Sequence, residues 1–288
     1  MIATRMASNY SNRAERAKEI IENHFPDPPY HIAYKREEKR AATAYREEQL
    51  PATVIEISNK DHIRNGRLIQ GNYCLRCKIY DSDLSTLHIA LVTRCGLTGT
   101  ENLERVINFS KACGFLRMTL DDHSKIQYDT QSNASDSDYS INLQQLQRLM
   151  TGKSWYGRFG FTNENVETYR DRISAYIGKP IGSTYSDKLM TRLRNYVAAI
   201  TPETSVSNSA KCIYAYLKGL CPDRICEQKD LTHIDKINSI VNEMYQEMLV
   251  ELEMNADNFI RLELIFSHQQ GASRKNKTAR RRKRTMRR

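Results

Sequence analysis

The sequence predicts an α+β fold: a mixed, mostly antiparallel sheet flanked by helices, with an added helical module and a disordered basic tail. Three observations predict it. Short runs rich in β-branched and aromatic residues between 52 and 93, broken by turn signals, read as a meander of strands. The stretch LHIALVTRCGLTGTENLERVINF, from Leu87 to Phe109, then passes from an apolar strand through two glycines into a helical pattern. From Asn163 onward apolar residues recur at helical spacing, until a final stretch, Arg274 to Arg288, holds ten Lys or Arg and no acid.

Length and charge bound the rest. The 288 residues, 33.4 kDa, suffice for one large domain or two smaller ones, each with its own core. The pattern divides into an N-terminal helical extension at 1–51, a strand-rich domain at 52–165, a helical module at 166–268 and the tail at 269–288. No apolar run approaches the length that spans a bilayer, and MIATRMASNYSNRAERAK lacks a secretory apolar core, so no membrane partner is expected. Seven scattered cysteines, an odd number, favour a reducing compartment over a disulfide framework. The expectation is an intracellular protein, cytoplasmic or nuclear. The net charge of +10 resides in the tail, because the preceding 273 residues hold 34 basic and 34 acidic side chains. A tail with nothing apolar to bury is expected to be disordered. Arg280, Arg281, Arg282, Lys283 and Arg284 are its densest part and would contact nucleic acid or serve nuclear import; the alternative is a solubilising tail without a defined partner.

Taken in order, RAERAKEIIENHF predicts a helix ended by Pro26, Pro28 and Pro29, and REEKRAATAYREEQL a second, very polar helix stopped by Pro51. ATVIEIS reads as a strand, Asn65-Gly66 as a turn, and RLIQGNYCLRCKIY as a strand-rich run that Gly71 divides. Cys74 and Cys77 form a C-x-x-C, but zinc needs two further ligands, and the distant Cys221 and Cys226 have four residues between them, so half-buried cysteines and no metal are expected. A strand entering a glycine turn and a helix N-terminus is a physical anion site: first-turn N–H groups lack intrahelical partners and the dipole favours negative charge. Gly99 allows close backbone approach, Thr100 suits an N-cap, and phosphate is the natural guest.

GFLRMTL predicts a fifth strand, followed by Asp121-Asp122-His123-Ser124. Ligands gather at the carboxyl ends of strands in open sheets, so Asp121 is a candidate for taking a proton from an amine; the alternative is that Asp121 and Ser124 turn the chain. His88, in the preceding strand, reads as a packed residue. QYDTQSNASDSDYSIN is polar enough for a mobile surface loop. Leu143, Leu146, Leu149 and Met150 mark a short helix terminated by Gly152, which runs into Trp155, Tyr156, Phe159 and Phe161. Helices ending at Gly178 and before Thr201 follow, then SAKCIYAYLKGL, then one long helix from Thr232 to Phe266. The stripe Ile234, Ile237, Val241, Met244 and Met248 suits either packing within the module or a dimer contact.

Two of these stretches resemble the hallmarks of the GNAT superfamily of acyl-CoA-dependent N-acetyltransferases. That family's pyrophosphate signature, an Arg or Gln, two residues, Gly, one residue, then Gly or Ala, ends a strand and opens a helix. Here Arg94 takes the first position and Gly99 the last, while Leu97 stands at the middle glycine and Gly96 comes one residue early. The second hallmark, a helix ending in Tyr, a few residues, then Gly-Phe, is matched by Tyr156-Gly157-Arg158-Phe159-Gly160-Phe161. The resemblance implies acetyl-CoA as acyl donor, held at Val92, Arg94, Gly96, Leu97, Thr98, Gly99 and Thr100, and an amine as acceptor. It also implies a splay between the fourth and fifth strands that polarises the thioester through a backbone N–H. Tyr156 would protonate the departing thiolate; read from the residues alone, it equally suits an aromatic core cluster. SWYGRFGF with a basic tail further resembles GNAT-like proteins encoded by large DNA viruses, which would put the protein in a host cell or virion. Two functions stay open: an N-acetyltransferase, or a catalytically inactive protein of the same fold tethered to nucleic acid or an assembly by its tail.

Overall fold

The computed structural model describes residues 17, 19–25, 30–39, 50–59, 63–64, 67–68, 73–92, 98–130, 139–222 and 225–266. The fold is α+β. Its main strands are β1 (Tyr30–Glu37), β2 (Ala52–Asn59), β5 (Leu75–Tyr80), β6 (Asp83–Val92), β7 (Arg117–Asp121) and β12 (Arg261–Ile265), hydrogen-bonded in the order β1-β2-β5-β6-β7-β12. The pairings of β1 with β2, β2 with β5 and β5 with β6 are antiparallel. β3 (Ile63–Arg64) and β4 (Arg67–Leu68) make a separate antiparallel pair on either side of Asn65-Gly66. The chain divides into two compact units, residues 1–118 with 265–288, and residues 119–264.

In the first unit β2 is the central strand. Its residues Val54, Ile55 and Ile57 are buried, and Ile55 stands opposite Tyr34 of β1 and Cys77 of β5. Successive side chains point to opposite faces, so Val54 shares one face with Glu56 and Ser58 while Ile55 and Ile57 share the other, and both faces are buried. Glu56 is only 4% exposed, yet it has cations on both sides: Lys35 at 2.5 Å and Arg76 at 3.3 Å. Arg76 and Lys78 also hold Glu37, at 2.8 and 2.7 Å. Pairing of this kind is what allows a carboxylate to be buried in a sheet. β1 itself is not announced by the sequence pattern, because YHIAYKRE alternates poorly and its strand state depends on pairing with β2.

After β6 comes helix α1 (Gly99–Ala112), which buries Leu103, Val106, Ile107 and Phe109. Gly114, at φ +75°, turns the chain out of it. The Leu116 N–H then donates to the Ser85 carbonyl at 2.8 Å, and Arg117 bonds Thr86 Oγ1 at 2.7 Å and Asp83 Oδ2 at 2.8 Å. The crossover through α1 thus brings the start of β7 beside the start of β6.

The second unit is mainly helical. β8 (Lys125–Gln127) pairs with β10 (Ser140–Asn142), and β9 (Asp129–Thr130) with β11 (Ile225–Cys226). Its helices are α2 (Leu143–Thr151), α3 (Glu164–Thr168), α4 (Arg170–Gly178), α5 (Ile181–Thr184), α6 (Asp187–Arg194), α7 (Val206–Leu220) and α8 (Gln228–Glu251). One apolar core joins Leu146 and Leu149 of α2, Ile213 and Leu217 of α7, and the α8 stripe Ile234, Ile237, Val241, Met244 and Met248. Gly152 terminates α2 at φ +73°, and α4 ends at Gly178, both as the pattern predicts.

Four expectations change. The long C-terminal helix stops at Glu251, and residues 261–265 are strand β12, whose Leu262 is buried while Glu263 exchanges backbone hydrogen bonds with Thr162. Five residues of alternating character at the end of a helical stretch are too few to reveal a strand without its partner. The helix expected to run to Ile200 ends at Arg194, and turns follow it. The N-cap of α1 is Thr98 rather than Thr100. Cysteines are also paired: Cys221, closing α7, and Cys226, in β11, form a disulfide with Cα atoms 5.4 Å apart, and Cys74 is disulfide-bonded as well. Cys77 is a free, fully buried thiol whose pKa burial pushes far up. The polar loop expected before α2 and the basic tail lie in part or wholly outside the described residues. No helix among the described residues is long and apolar enough to cross a membrane.

Candidate functional site

The expected cofactor-binding positions fall at the junction of β6 and α1. Val92 closes β6 opposite Leu75, half-buried. Arg94, Gly96 and Leu97 lie outside the described residues. Thr98, Gly99 and Thr100 form the helix entrance, and its local chemistry is defined. Thr98 Oγ1 accepts from the Glu101 N–H at 3.2 Å, and Glu101 Oε2 accepts from the Thr98 N–H and hydroxyl, both at 2.8 Å. This is a capping box, worth having because it supplies partners to donors that the helix leaves open. Hydrogen bonds from Thr98 draw the Glu101 pKa below the usual carboxylate range. The entrance therefore already carries a negative charge of the protein's own.

Tyr156 lies in a short 3₁₀ turn, Trp155–Phe159. Ser154 caps the turn by accepting from the Gly157 N–H at 3.0 Å, and Gly160, at φ +90°, ends it. The rings interlock edge to face: Tyr156 with Trp155 at 5.0 Å and with Phe161 at 6.0 Å between centroids. The Arg158 guanidinium covers Trp155 at 4.2 Å and Phe159 at 4.7 Å. Tyr156 is 9% exposed, and its phenol pKa is raised, first by burial and then by the charge of Asp122. So the tyrosine is at once a member of an aromatic cluster and a neighbour of a carboxylate.

That carboxylate is not the expected one. Asp121 ends β7 exposed to solvent, whereas Asp122 is fully buried. The Asp122 backbone N–H donates to the Ile260 carbonyl at 2.8 Å, and its Oδ1 accepts from the Ser124 hydroxyl at 2.7 Å and the Ser124 N–H at 3.2 Å. Burial raises its pKa, against the lowering effect of Ser124 and of Arg148. Arg148, on α2, is 1% exposed; one Nη donates to the Phe259 carbonyl at 2.6 Å, and the guanidinium lies over the Phe259 ring at 5.1 Å. Tyr245, on α8, is 2% exposed and feels both charges. Asp122, Arg148, Tyr156 and Tyr245 thus make up a buried polar cluster, all within the second unit.

Sequence reasoning reaches one member of this cluster, Tyr156, and names Asp121 where the buried carboxylate is its neighbour Asp122. It misses Arg148 and Tyr245. The signal was present for Arg148: it stands between Leu146 and Leu149 and three residues after Gln145, on the side of α2 that faces α8. His88 lies opposite Lys78, with its ring 6.0 Å from that of Tyr80. Among the described residues no group of His, Cys, Asp and Glu has the arrangement of a metal site. No family model matches the chain, and no curated protein matches it either.

Proposed function

We propose that the protein is an N-acetyltransferase-like protein that binds acetyl-CoA and passes its acetyl group to an amine. The single observation that supports this most is the order of elements in the first unit: antiparallel strands, then β6, the capped helix α1 a few residues further on, and β7 starting beside β6. A strand that feeds a helix N-terminus offers backbone N–H groups and a dipole to a pyrophosphate. In this reading Arg94 and the backbone from Gly96 to Thr100 hold the pyrophosphate, and Val92 ends the strand along which the pantetheine arm lies. Tyr156 supplies the proton to the coenzyme A thiolate. Burial raises the phenol pKa and so makes it a weaker acid, which means that the transfer requires the site to hold the hydroxyl against the sulfur. The acceptor is an amine that arrives neutral.

A second reading is favoured by two specific observations: a protein of the same fold without the reaction. Tyr156 is packed among Trp155 and Phe161, and the carboxylate of Glu101 already occupies the entrance of α1. Its function would then be tethering through residues 274–288.

Kinetics of Tyr156→Phe separate the two. The enzyme reading expects turnover to fall by roughly two orders of magnitude or more, as loss of a general acid does, while acetyl-CoA affinity stays within about twofold. Parallel loss of affinity and melting temperature would return Tyr156 to the aromatic core. The absence of any acetyl transfer by the wild-type protein would favour the tether.

A further inference from the structure

Helices α2 and α8 are stitched together at regular intervals. The Asn142 N–H, at the head of α2, donates to Asn238 Oδ1 at 2.9 Å, and one step further Gln145 Nε2 donates to Asn242 Oδ1 at 3.0 Å. Residues three apart follow one another along a helix face, so the next rung pairs Arg148 with Tyr245. That rung is not closed. Arg148 Nε and one of its Nη groups, Tyr245 Oη and, beside them, Asp122 Oδ2 are all buried without a hydrogen-bond partner. The three side chains are 1%, 2% and 0% exposed, and each acts electrostatically on the others.

Four such atoms on three side chains need a common explanation. Leaving a buried donor or acceptor unpaired is destabilising, and more so when the group is charged. A guanidinium and a carboxylate buried for mutual neutralisation would be in contact, since only close geometry offsets their desolvation. Here no ion pair joins them: Arg148 is anchored instead by the Phe259 carbonyl and ring, and Asp122 by Ser124. What the three side chains offer is a buried cation, a phenol and a carboxyl oxygen whose remaining polar atoms have no hydrogen-bond partner.

We propose that Arg148, Tyr245 and Asp122 form an internal binding site for a small oxyanion, a carboxylate of formate or acetate size. The anion oxygens accept from Arg148 Nε and Nη and from the Tyr245 hydroxyl. Asp122 shares one proton with the guest, which leaves the enclosure neutral: one guanidinium, one negative charge and one carboxyl proton. Burial, which pushes Asp122 toward its protonated form, favours that arrangement. The charged and titratable groups facing the site are Arg148 from α2, Tyr245 from α8, Tyr156 from the 3₁₀ turn and His123 from the turn after β7.

The test is thermal unfolding of the full chain against formate concentration, with chloride at matched ionic strength as reference, because a ligand of the native state raises the melting temperature by mass action. The wild-type protein is expected to gain stability with formate and not with chloride. Tyr245→Phe should weaken the apparent affinity roughly five- to tenfold, the loss of one hydrogen bond. Arg148→Met should abolish the response, and Asp122→Asn, which keeps a donor at Oδ2, should retain it within about threefold. No difference between formate and chloride, or an equal response in Tyr245→Phe, would overturn the proposal. Should Arg148→Met fail to fold, the comparison of Tyr245→Phe with Asp122→Asn decides alone.

Discussion

At Thr98 two demands meet on the same backbone. The helix needs partners for the N–H groups of its first turn, and Glu101 supplies one through the Thr98 N–H at 2.8 Å. A pyrophosphate arriving at the entrance of α1 needs those donors and a positive field, and the Glu101 carboxylate weakens that field. Glu101→Gln keeps the reach of the capping box and removes the charge. If α1 receives acetyl-CoA, this substitution should tighten binding about two- to fivefold, the range of one charge at a helix end, and the gain should shrink with added salt. Unchanged affinity would mean that the coenzyme, if bound, does not use this helix end. At the other hallmark a single position carries equal weight: Asp122, one residue beyond the exposed Asp121, is the carboxylate whose charge reaches Tyr156.

Among elements, the join between β6 and β7 defines the crossover, and it depends on one carboxylate. Asp83 Oδ1 accepts from the Ser85 hydroxyl at 2.6 Å, and Oδ2 from the Thr86 hydroxyl at 2.7 Å and from Arg117 at 2.8 Å. The Ser85 and Arg117 bonds, with that of Thr86, hold its pKa well below the usual carboxylate range. A depressed carboxyl pKa contributes stability that is fully present above the unfolded value, near 4, and is lost as pH falls through the folded value. Asp83→Asn should therefore lower stability by about 1 kcal/mol at neutral pH, a solvent-screened figure for a side chain one-third exposed. The difference from wild type should shrink as pH falls below roughly 4, where the unfolded carboxyl begins to take up its proton, and disappear only in strong acid. A difference that persists in acid would mean that the join depends on packing rather than on charge.

How much of this was legible follows from the same elements. β2, β5, β6, α1 and α2 were readable because their apolar residues keep a period over their own length, as in LHIALV or Leu103-Val106-Ile107. β1 and β12 were not, because YHIAYKRE and RLELI owe their strand state to partners distant in sequence. The buried cluster was legible only in pieces: Tyr156 by its motif, Asp122 only through the acidic run it shares with Asp121, Arg148 through its place between Leu146 and Leu149, and Tyr245 not at all. The Cys221–Cys226 bridge was hidden likewise, behind a spacing that metal chelation and bridging share.

At the scale of the whole molecule the charge is divided unevenly. The 273 residues before Arg274 are balanced, and ten cations follow. If this tail binds polyanions, deletion after Ser273 should abolish an affinity for single- or double-stranded nucleic acid that falls steeply with salt; equal binding by the truncated protein would move the contact into the body. In the first unit the end of β6 and the entrance of α1 are the proposed seat of acetyl-CoA, which calorimetric titration tests, with acetyl-pantetheine as the control that lacks the pyrophosphate. The account predicts saturable binding of acetyl-CoA and at least tenfold weaker binding of acetyl-pantetheine, the difference of roughly 1.4 kcal/mol or more expected from a phosphate-binding helix entrance. No binding of acetyl-CoA, or equal binding of both, would contradict it.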